Sequence, residues 1–390
     1  MKRFVTILLA AAMALTLLAG CGGDKPAGSS DPGAAQGGEV KIAAICAITG
    51  SSASDGASMK NAITMAADEI NANGGVLGGK KLVVDIIDGG STADSALNIA
   101  QKVASSKDYA AVLGPHFSSQ ILAVGDTLAQ AGVPVITGGT SPIVLQNITS
   151  EWVIRNRCPD SVVAYASAKF MYETMGARKV GFLVVNDDFG TGARTVAQEY
   201  FDSVGVEYVS ETFNVDDNDM TSQILKLKDA GVDSLFVWSL GTVFATAVRQ
   251  VAELGMNTLP VMASSALTFP DVQALLDPQT TENWYVNTHW TPTLTDEGSV
   301  AFTNGYEKLY DIKPNMLAAA WYSTTYWLAD CLERADSAQP DALLKAMQET
   351  QNYQTLSGTF TYKDRDLIRD VMVLQQVNGE FVFCQSVTGE

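Results

Sequence analysis

"VKIAAICAITGSSASDGASMKNAITMAADEINANGGVLGGKKLVVDIID", residues 40–88, decides the fold. Val40–Thr49 is almost wholly apolar and rich in strand formers, and Lys81–Asp88 repeats that character, so both read as strands. Between them, residues 56–72 carry apolar side chains at three- and four-residue spacing, the period of a helix with one buried face. Strand, helix and strand of these lengths make the unit of a parallel sheet covered by helices.

Outward from this stretch the unit recurs. Helix 92–105, strand 109–113, helix 118–131 and strand 133–137 are predicted next. A second series follows, with helix 161–175, strand 179–185, helix 191–204, strand 206–212, helix 219–230, strand 233–238, helix 242–255 and strand 259–263. "KVGFLVV", residues 179–185, is nearly continuous in apolar residues, as a strand buried on both faces must be. The two series join near residues 155–161 and predict an α/β protein of two doubly wound, parallel-sheet lobes. A chain of 390 residues is long enough for two, because single cores stop growing near roughly 250–300 residues. Ligands of such sheets bind beyond the carboxyl ends of the strands. That rule singles out residues 49–56, 88–92, 114–119, 137–142, 186–190, 239–242 and 263–268, where glycine, serine and polar residues gather.

The start of the chain reads differently. Lys2 and Arg3 precede an uncharged run from Phe4 to Gly20 that ends in small residues before Cys21, the pattern of a secretory signal over residues 1–20. As a membrane span the run sits at the short end of the roughly 17–25 residues needed, and no basic stop-transfer segment follows. Residues 22–39, rich in Gly, Pro, Ser and Ala, read as a flexible tether. The formal net charge of −18 argues against nucleic acid as a partner. Cys46, Cys158, Cys331 and Cys384 are widely spaced without a Cys-x-x-Cys pair and read as buried free thiols.

Several chemistries fail on their own spacing. Gly74, Gly79 and Lys80 fit part of a phosphate loop, but Lys81 stands where Ser or Thr is required and the segment leads from helix to strand; a helix stop is the better reading. The acidic run Asp216–Asp219 lacks the glycine of a calcium loop and has Leu227 in place of its closing glutamate. Asp219 is predicted to be the N-cap of a helix from Met220. His116 and His289 are too few for a zinc cluster, and no Gly-x-Ser-x-Gly elbow occurs. No metal, cofactor or catalytic constellation is assembled, so a binding protein is expected.

Five stretches in order, "ITGSSASDGASMKNAITMAADEINANGGVLGGKKL", "AVLGPHFSSQ", "AGVPVITGGTSP", "VNDDFGTGARTVAQEYFDSVGV" and "SQILKLKDAGVDSLFVW", resemble the Leu/Ile/Val-binding type of periplasmic binding proteins. These are the substrate-binding subunits of ABC importers. Leu18-Ala19-Gly20-Cys21 resembles a bacterial lipobox, which implies cleavage before Cys21 and lipidation of its thiol. The resemblance implies two lobes joined by three crossovers, with residues 39–158 plus 289–370 in the first and 159–288 plus 371–390 in the second. It further implies a monomeric, extracytoplasmic receptor, held at the membrane surface by its lipid, that closes by a hinge on a solute and serves a permease and ATPase. A branched-chain or other hydrophobic amino acid is the favoured ligand. A small carboxylate, amide or aromatic acid is the alternative, and a ligand-sensing subunit that signals to a membrane receptor is another.

By the same resemblance, Ser118, with Ser119 beside it, and the loop Gly138, Gly139 and Thr140 hold the ligand carboxylate. A helix N-terminus and loop amides make an anion site physically reasonable there, although Ser118 also reads as a helix cap. "ITGGTSP" is one residue shorter than the family's loop. Phe189 matches a pocket tyrosine, and Leu240 replaces another aromatic. Asp55 stands where an aromatic shelf is usual, and the acid that holds the ammonium is missing near Ser264 and Ser265. A buried ammonium without a carboxylate is costly. Either Asp55 supplies the charge or the ligand is not a plain α-amino acid; Asp55 reads equally as a solvated loop acid. Arg157 at the first crossover reads as a hinge ion pair or as a partner for an acidic ligand group. His116 reads as lying at the cleft mouth or as loop packing.

Overall fold

The computed structural model describes residues 38–387. The expected signal, Cys21 and all but the last two residues of the tether lie outside the described residues.

The first run comprises β1 (Glu39–Cys46), α1 (Ala53–Ala72), β2 (Lys81–Asp88), α2 (Ala93–Ser105), β3 (Tyr109–Leu113), α3 (Ser118–Ala129), β4 (Val135–Thr137), α4 (Pro142–Asn147) and β5 (Val153–Arg155). Its strands form a parallel five-stranded sheet ordered β2-β1-β3-β4-β5. The second run comprises α5 (Asp160–Glu173), β6 (Lys179–Val185), α6 (Asp188–Val204), β7 (Glu207–Phe213), α7 (Thr221–Asp229), β8 (Ser234–Trp238), α8 (Thr242–Glu253), β9 (Val261–Ala263), α9 (Pro270–Gln273) and β10 (Tyr285–Thr288). After it come α10 (Glu297–Tyr310), α11 (Met316–Ala335), α12 (Pro340–Gln348) and a three-stranded sheet of β11 (Tyr353–Thr355), β12 (Gly358–Lys363) and β13 (Asp366–Ile368). Finally β14 (Val371–Val377) and β15 (Glu380–Val387) rejoin the second sheet, whose order is β15-β14-β10-β9-β8-β6-β7. That sheet is therefore mixed, not purely parallel: β14 runs antiparallel to β10, and β15 to β14.

Local chemistry explains the elements. Every residue of β8 is buried, and all of β6 beyond Lys179, so beyond their first residues these strands carry no polar side chain and do not alternate. Asp187 caps α6 by accepting the Gly190 N–H at 2.8 Å, and Gly205 ends that helix in the left-handed region at φ 72°. Asp219 is not the cap of α7. Met220 holds that position, and the Asp219 carboxylate reaches forward two residues to accept the Thr221 N–H at 2.9 Å. Between α1 and β2, Val76 and Lys80 form a bridge that closes a turn where the helix stop is predicted.

Two helix starts lie against the strand that precedes them. A Cβ on Gly56 would sit 2.0 Å from the Ala47 carbonyl oxygen, and one on Gly190 would sit 2.1 Å from that of Val185. On the far side of α1 packs α11, and the hydroxyls of Tyr322 and Tyr326 both donate to Glu69, at 2.5 and 2.8 Å. Sequence far from the first series thus covers its sheet.

Cys46, Cys158 and Cys331 are buried free thiols, and burial pushes them up to about 12, 11 and 12. Cys384 differs from expectation, because β15 leaves it exposed. Iodoacetamide is expected to label Cys384 rapidly in the native protein and Cys46, Cys158 and Cys331 only after denaturation. Intact-mass measurement checks this, and native labelling that persists in Cys384→Ser at any of the other three would contradict it. Among the described residues no helix is long and apolar enough to cross a membrane.

Candidate functional site

Both sheets share one topology in their parallel part. In the first, the direction of winding reverses between β1 and β3; in the second, ordered β7-β6-β8-β9-β10, it reverses between β6 and β8. Loops that leave such a pair diverge to opposite faces and open a crevice. Asp55 follows β1, while His116, Ser118 and Ser119 follow β3. Phe189 follows β6 and Leu240 follows β8. The elements around the two crevices meet. Ser54, in the first turn of α1, donates its hydroxyl to Asp271 of α9 at 2.5 Å. A Cβ on Gly192 of α6 would lie 2.4 Å from Ser141 Oγ.

The loops expected to hold a carboxylate are more tightly tied than the sequence implies. Ser118 is buried as the first residue of α3, but Phe117 is the N-cap and no side chain caps that helix. Ser118 Oγ instead accepts the Ser141 N–H at 3.2 Å, joining α3 to the loop after β4 and leaving its own hydroxyl proton to donate. The Gly139 N–H donates to Thr137 Oγ1 at 3.2 Å. Thr140 donates its hydroxyl to Asp160 Oδ2 at 3.0 Å, so that proton is engaged within the protein and the oxygen is left as an acceptor. Gly138 fits because a Cβ there would strike His116 Nδ1 at 2.2 Å, and one on Gly139 would lie 2.8 Å from Ile121. Ser119 is half-buried in the same turn.

Arg155 is the residue that sequence reasoning missed. It is 1 % exposed, and its guanidinium donates to Gly139 O at 2.7 Å, Ser141 O at 3.0 Å and Asp366 at 2.8 Å. The crossover ion pair expected of Arg157 therefore belongs to Arg155. Burial lowers Arg155 and raises Asp366, each toward its neutral form, although each partner opposes the shift on the other. The pair is held against a desolvation penalty rather than acting as a free source of stability.

Arg157 is buried with an unpartnered Nε, and Nη1 lies 3.4 Å from His116 Nε2. His116 Nδ1 accepts the Trp321 Nε1–H at 3.0 Å. The neutral ring then carries its proton on Nε2, facing Arg157, and offers it no acceptor. Burial, with Arg157 second, holds His116 well below the usual histidine range. His116 is thus a packed residue 5 % exposed, not one at a cleft mouth. Arg157 itself is pushed down to about 10, chiefly by burial.

Asp55 overturns its reading as a solvated acid. It is 2 % exposed, and neither carboxylate oxygen has a hydrogen-bond partner. Burial pushes it up to about 7, the like charge of Asp271 adds to that, and Arg157 opposes it. Its loop is pinned by Asp88 at the end of β2, which accepts the Ile48 N–H at 3.1 Å and the Thr49 hydroxyl at 2.7 Å. Burial likewise raises Asp160 to about 7, with Arg157 opposing.

On the second sheet, Phe189 and Trp238 stand with ring centroids 6.0 Å apart, and the Trp238 Nε1–H is buried without an acceptor. Trp238 was hidden in an apolar strand end. Leu240 is half-buried just beyond it. Ser264 donates its hydroxyl to Ser239 O at 2.6 Å, so it laces two loops together and supplies no acid. A separate cavity of about 840 Å³ lies along the crossovers, against His289, Leu356 and Arg369, and is lined by none of the residues expected to hold a ligand.

Two opposed crevices, with buried polar groups left unpaired beside them, are where sheets wound in this way bind small molecules. The chain belongs to the periplasmic binding protein family, whose profile matches residues 39–380. It is 26% identical to a Leu/Ile/Val-binding protein of Rhizobium johnstonii over 344 residues, which are 83% of this chain and 87% of that one. A leucine-binding protein of Thermotoga maritima superposes with a TM-score of 0.81 at 24% identity, over 90% of this chain and 99% of its own. A solute-binding protein of an ABC transporter from Rhodopseudomonas palustris, in complex with 3,4-dihydroxybenzoic acid, gives 0.81 at 20% identity, over 90% and 98%. The shared fold is the two-sheet fold of solute-binding proteins, and family membership implies an extracytoplasmic location.

Proposed function

We propose that this chain is a lipid-anchored receptor of an ABC importer, capturing a small amino-acid-like solute between two lobes. Residues 39–158 plus 289–370 form the first lobe and 159–288 plus 371–390 the second, with Cys21 carrying the lipid. The observation that carries the reading is a pair of buried, unpartnered, oppositely charged groups: both oxygens of Asp55 and Nε of Arg157. A zwitterionic solute satisfies both. Its acid end lies near Ser118, the Gly138–Thr140 loop and Arg157, and its apolar part packs on Phe189, Trp238 and Leu240. The protein performs no chemistry. Its closed conformation binds the ligand more tightly than the open one, and the closed form is what a permease and ATPase receive.

A second reading, a small aromatic or other carboxylate, is supported by the absence of an acid at Ser264 and by the ligand of the Rhodopseudomonas palustris neighbour. Thermal-shift measurement against amino acids, carboxylates and amides separates the two. Ser118→Ala is expected to weaken the best of these ligands several-fold, about 1 kcal/mol for one lost hydrogen bond, and to lower the melting temperature of the free protein modestly, because the Ser141 N–H loses its acceptor. Unchanged affinity would remove Ser118 from the site.

A further inference from the structure

We propose that Asp55 and Asp271 form a carboxylate clamp, one from each side of the cleft, that closes on a protonated amine of the ligand. This deepens the reading above and rests on it. Asp55 comes from the first turn of α1, behind β1, and Asp271 from α9, behind β9. Ser54 donates its hydroxyl to Asp271 Oδ2 at 2.5 Å, so the residue next to Asp55 already touches the opposing acid. Both Asp55 oxygens are buried and unpartnered. Burial raises Asp55 toward its neutral form, and the like charge of the half-buried Asp271 adds to that. What the pair lacks is a cation with several donors.

The protein does not supply one. Among the described residues Arg157 forms no ion pair with Asp55, and its own Nε, in a side chain 7 % exposed, is unpartnered as well. Arg157 nonetheless lies close enough to act electrostatically on Asp55. A buried cation and a buried anion that form no ion pair with each other suit a solute that presents the opposite charge to each. An ammonium has three N–H donors, enough for the two Asp55 oxygens and one of Asp271. Because the carboxylates come from opposite sides, the clamp assembles only when the cleft shuts. The amine thereby lowers the free energy of the closed form relative to the open one. The acid absent at Ser264 is replaced by one seven residues later, on α9, and by Asp55 opposite it.

The test uses the whole chain with the twenty common amino acids and their desamino counterparts, such as leucine against 4-methylpentanoate and phenylalanine against 3-phenylpropanoate. Binding is followed by thermal shift and then by calorimetry. At least one amino acid is expected to bind wild type, at least about 100-fold tighter than its desamino partner. Asp55→Asn is expected to weaken that amino acid about 100-fold and Asp271→Asn about 10-fold, and in both the preference over the desamino compound should shrink by at least as much. The melting temperature of free Asp55→Asn should equal or exceed that of wild type, since an unpaired buried acid is removed, and this keeps misfolding from imitating the result. Asp55→Asn that binds the amino acid as wild type does would overturn the clamp. So would a wild type that binds desamino acids alone, which leaves the solute-receptor reading standing. A response to neither class would overturn the clamp together with the amino-acid-like ligand.

Discussion

Arg155→Ala is expected to lower the stability of the protein by about 3–5 kcal/mol, the loss typical when one member of a buried ion pair is removed. Arg155 is 1 % exposed and satisfies three acceptors at once: Gly139 O, Ser141 O and the Asp366 carboxylate. Truncation leaves the buried Gly139 carbonyl unpaired, takes one of two donors from Ser141 O, which keeps the Val144 N–H at 3.1 Å, and strips a largely buried acid of its cation. Because Gly139 and Ser141 belong to the loop that Ser118 grips, ligand affinity should fall as well. Chemical denaturation measures the first effect and calorimetry the second. The double variant Arg155→Met with Asp366→Leu should be closer to wild type than Arg155→Ala, since it removes the desolvation penalty with the attraction. A loss below about 1 kcal/mol in Arg155→Ala would show that other contacts hold the loop.

The second large effect is expected from a single methyl group. Gly56→Ala places a carbon where the Ala47 carbonyl oxygen lies only 2.0 Å away, so backbone must move, not a flexible side-chain tip. Overpacking of this kind costs about 1–3 kcal/mol. Asp55 immediately precedes Gly56, so the shift also displaces the buried carboxylate, and binding should weaken beyond the loss of stability. Gly190→Ala, at 2.1 Å from Val185 O, is the counterpart on the second sheet. Gly298→Ala is the control, because its nearest neighbours, at 3.5 and 3.6 Å, are ordinary contacts. Equal denaturation midpoints for Gly56→Ala and Gly298→Ala would refute the close-approach argument.

Much of the fold was legible in the sequence, and the reason is local. Strands buried on both faces announce themselves as short unbroken apolar runs, as in Lys179–Val185, where the predicted and observed limits coincide. Helices with one buried stripe repeat at a different period. Alternation of the two therefore marks where each strand ends, and strand ends are where an α/β sheet binds ligands. Asp55, His116, Ser118, Phe189 and Leu240 were singled out by that rule together with the family resemblance. The parts that were not legible lacked a local signal: β14 and β15 run antiparallel to their neighbours, and Trp238 looks like any apolar strand residue.

By itself, then, the sequence determined the alternation of strands and helices, the two winding series and the loops from which a site must be drawn. It could not say which polar side chains in those loops are satisfied. Ser118 grips Ser141, Thr140 is engaged by Asp160, Arg155 rather than Arg157 makes the ion pair, and Asp55 is left with no partner while Asp271 stands opposite. Only tertiary structure decides these matters. Desolvation and hydrogen-bond partnership depend on what surrounds a group in space, and the residues that meet at this cleft, Ser54 and Asp271 among them, are separated by as many as 217 positions along the chain.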